Sequence, residues 1–357
     1  MIRTPGWTAA CATALRSRRA AALTLVLPSG WLALVIAWEL SRPLAGEDGM
    51  GLRIATCAAF LIAVGWLAAG VRSMAERELR RIRHVAEVAQ RVLLRPLPAR
   101  LDGIALAAGQ LSVSRGASIG GDLYEAMSTP YGVRVVMGDV RGHGLGAIGA
   151  VAAVLGSFRE AAHDEPQLPD VLRRLDRALA RHLRERCRAE HPASGGAEPE
   201  RPIGEDFVTV LLLEIRPSGE VYALNCGHPW PYRLDRGAEP LTPGDPLPPL
   251  GPFPLPAELL PLRCTRLLPG EALCLYTDGA EDARDGAGRF FALREALTAA
   301  SRPAPVSPAD VVARVRGALL AHTRGRLSDD VALLVLRNDR VRVPAQQTAG
   351  GAAGVRR

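Results

Sequence analysis

Five aspartates are placed where a carboxylate is unusual. Asp122 follows Gly120-Gly121, Asp139 closes the apolar run Val136-Met137-Gly138, Asp278 closes Leu275-Tyr276-Thr277 and precedes Gly279, and Asp329-Asp330 open the run Val331 to Leu336. Aspartate is disfavoured inside strands, and carboxylates gathered at one rim repel one another unless a cation lies between them. Oxygen donors without a Cys or His cluster suit hard ions such as Mg²⁺ or Mn²⁺. Taken singly, each Asp beside Gly is also an ordinary turn former. The residues alone therefore define a candidate divalent-metal site and leave the turn reading open. The six cysteines form no C-x-x-C pair and no C-x5-R loop. They read as small buried apolar residues rather than a zinc site, a disulfide framework or a phosphate-binding nucleophile.

The elements that must carry these aspartates are short apolar runs broken by Gly and Pro. A hairpin is expected from Gly121–Met127 through the turn Thr129-Pro130-Tyr131-Gly132 into a strand over Tyr131–Val140. A second hairpin joins Phe207–Ile215 to Glu220–Cys226 around Pro217-Ser218-Gly219, and further strands are expected over Glu271–Thr277 and Asp330–Leu336. Helical periodicity falls on Leu145–His163, Pro169–Cys187 and Pro308–His322. Hairpins with helices in separate blocks predict an α+β layered fold rather than a doubly wound parallel sheet. Pro192–Glu205 and the proline-dense Leu241–Pro256 read as surface loops. Residues 341–357 have no apolar period and read as a loose tail.

The chain has 357 residues, 48% of them hydrophobic and 23% charged, enough for a real core and far from the disordered class. All 44 basic side chains are Arg, and the net charge is +7. Residues 1–100 hold 14 Arg against 6 acids, whereas the rest holds 30 against 31. The larger region is thus neutral, which argues against a nucleic-acid partner. Two uncharged apolar runs, Ala20–Trp38 and Ile54–Val71, approach the roughly 20 residues that span a bilayer. Arg16, Arg18 and Arg19 precede the first and Arg72, Arg77, Arg80, Arg81 and Arg83 follow the second. That bias predicts a membrane hairpin over residues 1–73, in contact with lipid, with both ends in the cytoplasm and the chain in the cell membrane. A cleaved signal peptide and buried soluble helices are the competing readings. A helical linker over residues 74–100 carries apolar positions at Leu79, Ile82, Val85 and Val92. Packing on its own domain and pairing with a second copy fit that stripe equally well.

The blocks carrying the aspartates resemble a known family. In order they are Ala117-Ser118-Ile119-Gly120-Gly121-Asp122-Leu123-Tyr124, Gly138-Asp139-Val140-Arg141-Gly142-His143-Gly144, Phe207-Val208-Thr209, Asn225-Cys226-Gly227-His228-Pro229, Tyr276-Thr277-Asp278-Gly279, and Asp329-Asp330-Val331-Ala332-Leu333-Leu334. Together they resemble the SpoIIE-type branch of the PPM, or protein phosphatase 2C-like, serine/threonine phosphatases. The resemblance implies an α-β-β-α sandwich over residues 101–340 and a binuclear Mn²⁺ or Mg²⁺ site. By it, Asp139 bridges the metals, the Val140 carbonyl and Asp122 add ligands, Asp278 completes the pair, and Asp329 binds beside Asp278, with Asp330 the weaker candidate. Such a pair of ions activates water for attack on phosphorus and clamps the phosphoryl oxygens. The implied activity is hydrolysis of phosphoserine or phosphothreonine on a regulatory protein of the anti-sigma-factor-antagonist type, in bacterial partner-switching signalling. A catalytically silent, membrane-anchored scaffold is the alternative. His143 and His228 are either proton carriers or parts of tight turns. Arg141 stands where the family usually has a small Ser, and Phe291 where it commonly has Gly.

Overall fold

The computed structural model describes residues 58, 60–62, 64–78, 93–111, 121–142, 145–190, 207–302 and 305–340. The chain divides into two compact units, Met1–Ile82 and Arg83–Arg357. In the first, every described residue is helical, and Leu61, Ile62, Trp66 and Met74 are exposed. Among the described residues no helix is long and apolar enough to cross a membrane. The expected first span, the linker residues 79–92, His143, the Pro192–Glu205 loop and the 341–357 tail lie outside the described residues.

The second unit runs β1 (Arg100–Leu101), β2 (Ile104–Leu111), β3 (Leu123–Thr129), β4 (Gly132–Val140), α1 (Leu145–Asp164), α2 (Leu168–Glu190), β5 (Val208–Ile215), β6 (Glu220–Cys226), β7 (Tyr232–Leu234), β8 (Ala238–Pro240), β9 (Leu262–Arg266), β10 (Ala272–Tyr276), α3 (Gly279–Asp282), α4 (Leu293–Ser301), α5 (Pro308–His322) and β11 (Val331–Asn338). The strands form two sheets, ordered β1-β2-β11-β10-β7-β8 and β3-β4-β5-β6-β9. Every pairing between named strands is antiparallel.

Period-two alternation builds three cores from these strands. In β4, Val133, Val135 and Met137 face the other sheet, while Val136 and Val140 face α1 and α2. In β11, Ala332, Leu334 and Leu336 face the same inter-sheet core, while Val331, Leu333 and Val335 face α4 and α5. The result is the expected α-β-β-α sandwich. Helix α2 buries Leu168, Val171, Leu172, Leu175 and Leu179, a stripe at spacings of three and four, with arginines between. The fully buried Phe158 of α1 joins that layer. Truncating it to Ala would cost about 3–5 kcal/mol.

The expected strands and the three expected helices form within a few residues of their predicted ends. The turn after β3 is the two-residue connection Pro130-Tyr131, with Thr129 paired to Gly132. Sequence reasoning missed β2, IALAAGQL, because alanine and glycine are poor strand formers. Their small size has a packing reason, since α5 lies close over β2 and a Cβ on Gly109 would run into Val312. Leu241–Pro256 is only partly a surface loop: Leu250 is fully buried and exchanges backbone hydrogen bonds with Val208, 2.9 and 3.0 Å.

Candidate functional site

Strand ends deliver the aspartates to one rim of the sandwich. Asp122 and Asp139 belong to the five-stranded sheet, just before β3 and near the end of β4. Asp278 follows β10 and Asp329-Asp330 precede β11, both in the six-stranded sheet. The short helix α3 fixes the chain beyond Asp278, because Glu281 Oε1 accepts hydrogen bonds from the hydroxyls of Tyr276 (2.9 Å) and Tyr232 (3.2 Å). Gly121 and Gly279 permit the close approach of the segments. A Cβ on Gly121 would stand 2.6 Å from Asp139 Oδ1, and one on Gly279 would strike the Asp330 backbone.

The carboxylates are close enough to oppose each other's ionisation. Burial holds Asp122 well above the ordinary carboxylate range, and Asp139, Asp330 and Asp329 push it further, against a hydrogen bond from Thr277. Asp139 is pushed up to about 7, first by burial and then by Asp278, Asp329 and Asp330. Asp278 is raised by partial burial and then by Asp329 and Asp282. Its side chain reaches solvent at the rim, so its shift is the most screened of the three. Asp139 thus stands electrostatically between groups from both sheets. Asp330, the weaker candidate by sequence, is buried, whereas Asp329 is exposed and its Oδ1 accepts a hydrogen bond from the Asp330 N–H at 2.8 Å; both act on Asp122 and Asp139.

Among the described residues, no three His, Cys, Asp or Glu groups stand together as a ready-made metal cage. The donor set still fits Mg²⁺ or Mn²⁺. Such ions are commonly held by one or two carboxylates with water and substrate oxygens completing the shell, and this rim supplies hard oxygen donors whose mutual repulsion a cation would relieve.

Three polar residues behind the aspartates escaped a role in the sequence reading. Thr277 Oγ1 donates to Asp122 Oδ2 at 3.3 Å and accepts from the Ala332 N–H at 2.8 Å, tying the two sheets together. Thr209 Oγ1 accepts from the Asp139 N–H at 3.1 Å and meets His228 Nδ1 at 3.0 Å. Asn225 clamps the His228 backbone from both sides, accepting from its N–H and donating to its carbonyl, each at 2.8 Å. Threonine is so ordinary a strand former that its type alone gave no signal. Burial pushes the His228 pKa down to about 3, partly offset by the Tyr276 backbone. A neutral, enclosed imidazole is poorly suited to deliver a proton to a leaving group. Arg141 is exposed, its guanidinium 5.2 Å from the Phe207 ring centroid and its N–H donating to the Phe207 carbonyl at 2.9 Å. Phe291 is buried and packs on His322, with ring centroids 5.5 Å apart.

With this geometry in place, comparison with known proteins decides the family. The family profile described as stage II sporulation protein E (SpoIIE) matches residues 129–339, more than half of the chain. The chain belongs to the SpoIIE family. Its fold is similar to the SiaA-PP2C domain of Pseudomonas aeruginosa, at 17% identity and a TM-score of 0.54, covering 76% of this chain and 98% of that one. The RsbU and RsbW domains of Rv1364c from Mycobacterium tuberculosis are 23% identical with a TM-score of 0.49, covering 67% of this chain and 61% of that one. This SpoIIE-family chain therefore spans under two thirds of that two-domain structure. No curated protein is matched by sequence. The fold is thus that of a PP2C domain.

Proposed function

We propose that the chain is a metal-dependent phosphatase that hydrolyses phosphoserine or phosphothreonine on a regulatory protein. The observation that carries this reading is the position of Asp139, near Asp122 of its own sheet, where burial and then Asp278, Asp329 and Asp330 of the other sheet raise it to about 7. In this reading Asp122, Asp139, the Val140 carbonyl, Asp278 and Asp329 are the groups that would hold two Mn²⁺ or Mg²⁺ ions. Asp330 is near enough to Asp122 and Asp139 to join them. The ions supply the Lewis acidity that makes water a nucleophile at neutral pH. The protein residues hold the carboxylates in place through Thr277, Thr209 and the glycine contacts. Arg141, exposed beside the rim, offers a guanidinium suited to a phosphoryl group.

The substrate in this proposal is a small phosphorylated regulator of the anti-sigma-factor-antagonist type, in keeping with the family resemblance. The membrane tether is part of the same reading. Support for it comes from the uncharged runs Ala20–Trp38 and Ile54–Val71, their flanking arginines, and the exposed Leu61, Ile62 and Trp66 on helical residues. The test is phosphate release from a phosphoserine protein by the full-length chain, with Mn²⁺ and with EDTA. Activity that requires the metal and disappears in Asp278→Ala supports the reading. A folded protein that binds Mn²⁺ yet releases no phosphate from any phosphoprotein contradicts it.

A further inference from the structure

We propose that His228 is a positioning residue that holds Asp139 in place at the carboxylate rim through Thr209. The proposal rests on the metal-site reading above and adds a residue to it. Asp139 and Asp278 belong to different sheets, so their spacing depends on whatever joins the sheets at the rim. Thr277 makes one such joint, through Asp122. His228 acts from the five-stranded side: its Nδ1 lies 3.0 Å from Thr209 Oγ1, which in turn holds the Asp139 N–H at 3.1 Å.

The local chain is built to deliver this one side chain. Gly227 takes a φ of +70°, a left-handed turn that favours glycine, and packs against Pro249. Asn225, itself buried, then locks both backbone polar groups of His228. Only 4% of His228 is exposed, and its Nε2 makes no well-formed hydrogen bond. Merely filling space would favour an apolar residue, because a buried polar atom left without a partner is costly. The hydrogen-bond chain from the imidazole through Thr209 to the Asp139 backbone gives the ring a reason to be polar. Outer partners of this kind typically change metal affinity by about 10–100-fold when removed.

The test uses the full-length chain, Mn²⁺ titration calorimetry and the electron paramagnetic resonance spectrum of the Mn²⁺-loaded protein. The variants are Thr209→Val, which keeps shape and loses the hydroxyl, Thr209→Ser, which restores it, and His228→Phe, which keeps a ring and loses both nitrogens. Thr209→Val and His228→Phe are expected to weaken Mn²⁺ binding by about tenfold. Both should replace the exchange-coupled signature of paired ions with that of isolated Mn²⁺, while Thr209→Ser stays close to wild type. A merely structural role would lower stability and leave the affinity and spectrum of the folded protein unchanged, which overturns the proposal. A wild-type chain that binds no Mn²⁺ overturns the metal-site reading and this proposal together. Should His228→Phe fail to fold, the Thr209 pair still decides.

Discussion

The two ends of β4 treat buried charge in opposite ways. At the N-terminal end Arg134 is completely buried yet fully satisfied. Its guanidinium pairs with Glu214 at 2.7 Å and donates to the carbonyls of Ala162 (3.0 Å) and Pro166 (2.8 Å), which sit at and beyond the end of α1. About 17 Å further along the strand, the charges that act on Asp139 among the described residues are the carboxylates of Asp278, Asp329 and Asp330. Strand β11, in the other sheet, repeats the contrast. Asp330 begins it among carboxylates, whereas Arg337 and Asp339 at its far end pair with each other. A fold holds opposite charges together to stabilise itself and like charges together only where a ligand relieves them. One end of the sandwich is accordingly a structural joint, and the other is the binding site in the reading proposed above.

Substitutions at the two ends should separate activity from stability. Asp139→Ala is expected to abolish phosphate release, a loss beyond the about 10–100-fold seen when an outer partner of a metal ligand is removed, without unfolding the domain. Residual activity above one hundredth of wild type would break the contrast. Arg134→Met takes away the buried partner of Glu214, leaving it only the half-exposed Arg216 at 3.1 Å, and should cost about 3–5 kcal/mol of stability. Denaturant unfolding measures that loss, and phosphate release per folded molecule should be unaffected.

Titration should also run in opposite directions at the two ends. The Asp139 carboxyl is raised from 3.8 to about 7 by burial and its neighbours. In the metal-free protein this group therefore favours the fold at low pH and withdraws that contribution as pH rises from about 4 through 7. Asp339 is lowered, chiefly by the Arg337 hydrogen bonds. Its contribution is present above its ordinary value and is lost as pH falls through its lowered one. Melting curves from pH 4 to 8 in EDTA should show the first slope, to which the raised Asp122 and Asp278 also contribute; Mn²⁺ should flatten it, and Asp139→Asn should lessen it. The smallest effect belongs to Thr277→Val, which loses two hydrogen bonds and should cost about 1–2 kcal/mol, together with a weakening of Mn²⁺ binding that titration calorimetry would detect.

The binding end was more legible in the sequence than the structural joint. Aspartates at the ends of apolar runs, each beside Gly or another Asp, are conspicuous against strand preferences, and Asp122, Asp139, Asp278 and the Asp329-Asp330 doublet do gather at one rim. The doublet's division of labour was not legible. Which of two adjacent aspartates is buried depends on the register of β11, and Asp330 proves to be the enclosed one. Thr209, Thr277 and Asn225 carry no signal as residue types, because their roles exist only once distant strands are paired. The same holds for Arg134 and Glu214, which are 80 positions apart and meet through the β4–β5 register. Strand β2 was missed because its small residues reflect the nearness of α5, a tertiary fact that local propensity does not encode.

The central claim is that the carboxylate rim is held against its own repulsion and is relieved by a divalent cation. The most direct measurement is the melting temperature of the full-length chain near pH 7.5, in EDTA and in Mn²⁺, for wild type and Asp139→Asn. Mn²⁺ should raise the wild-type value, and Asp139→Asn should melt higher than wild type in EDTA and gain little from the metal. A wild-type value that Mn²⁺ leaves unmoved, or an Asp139→Asn protein that melts lower than wild type in EDTA, would contradict the claim.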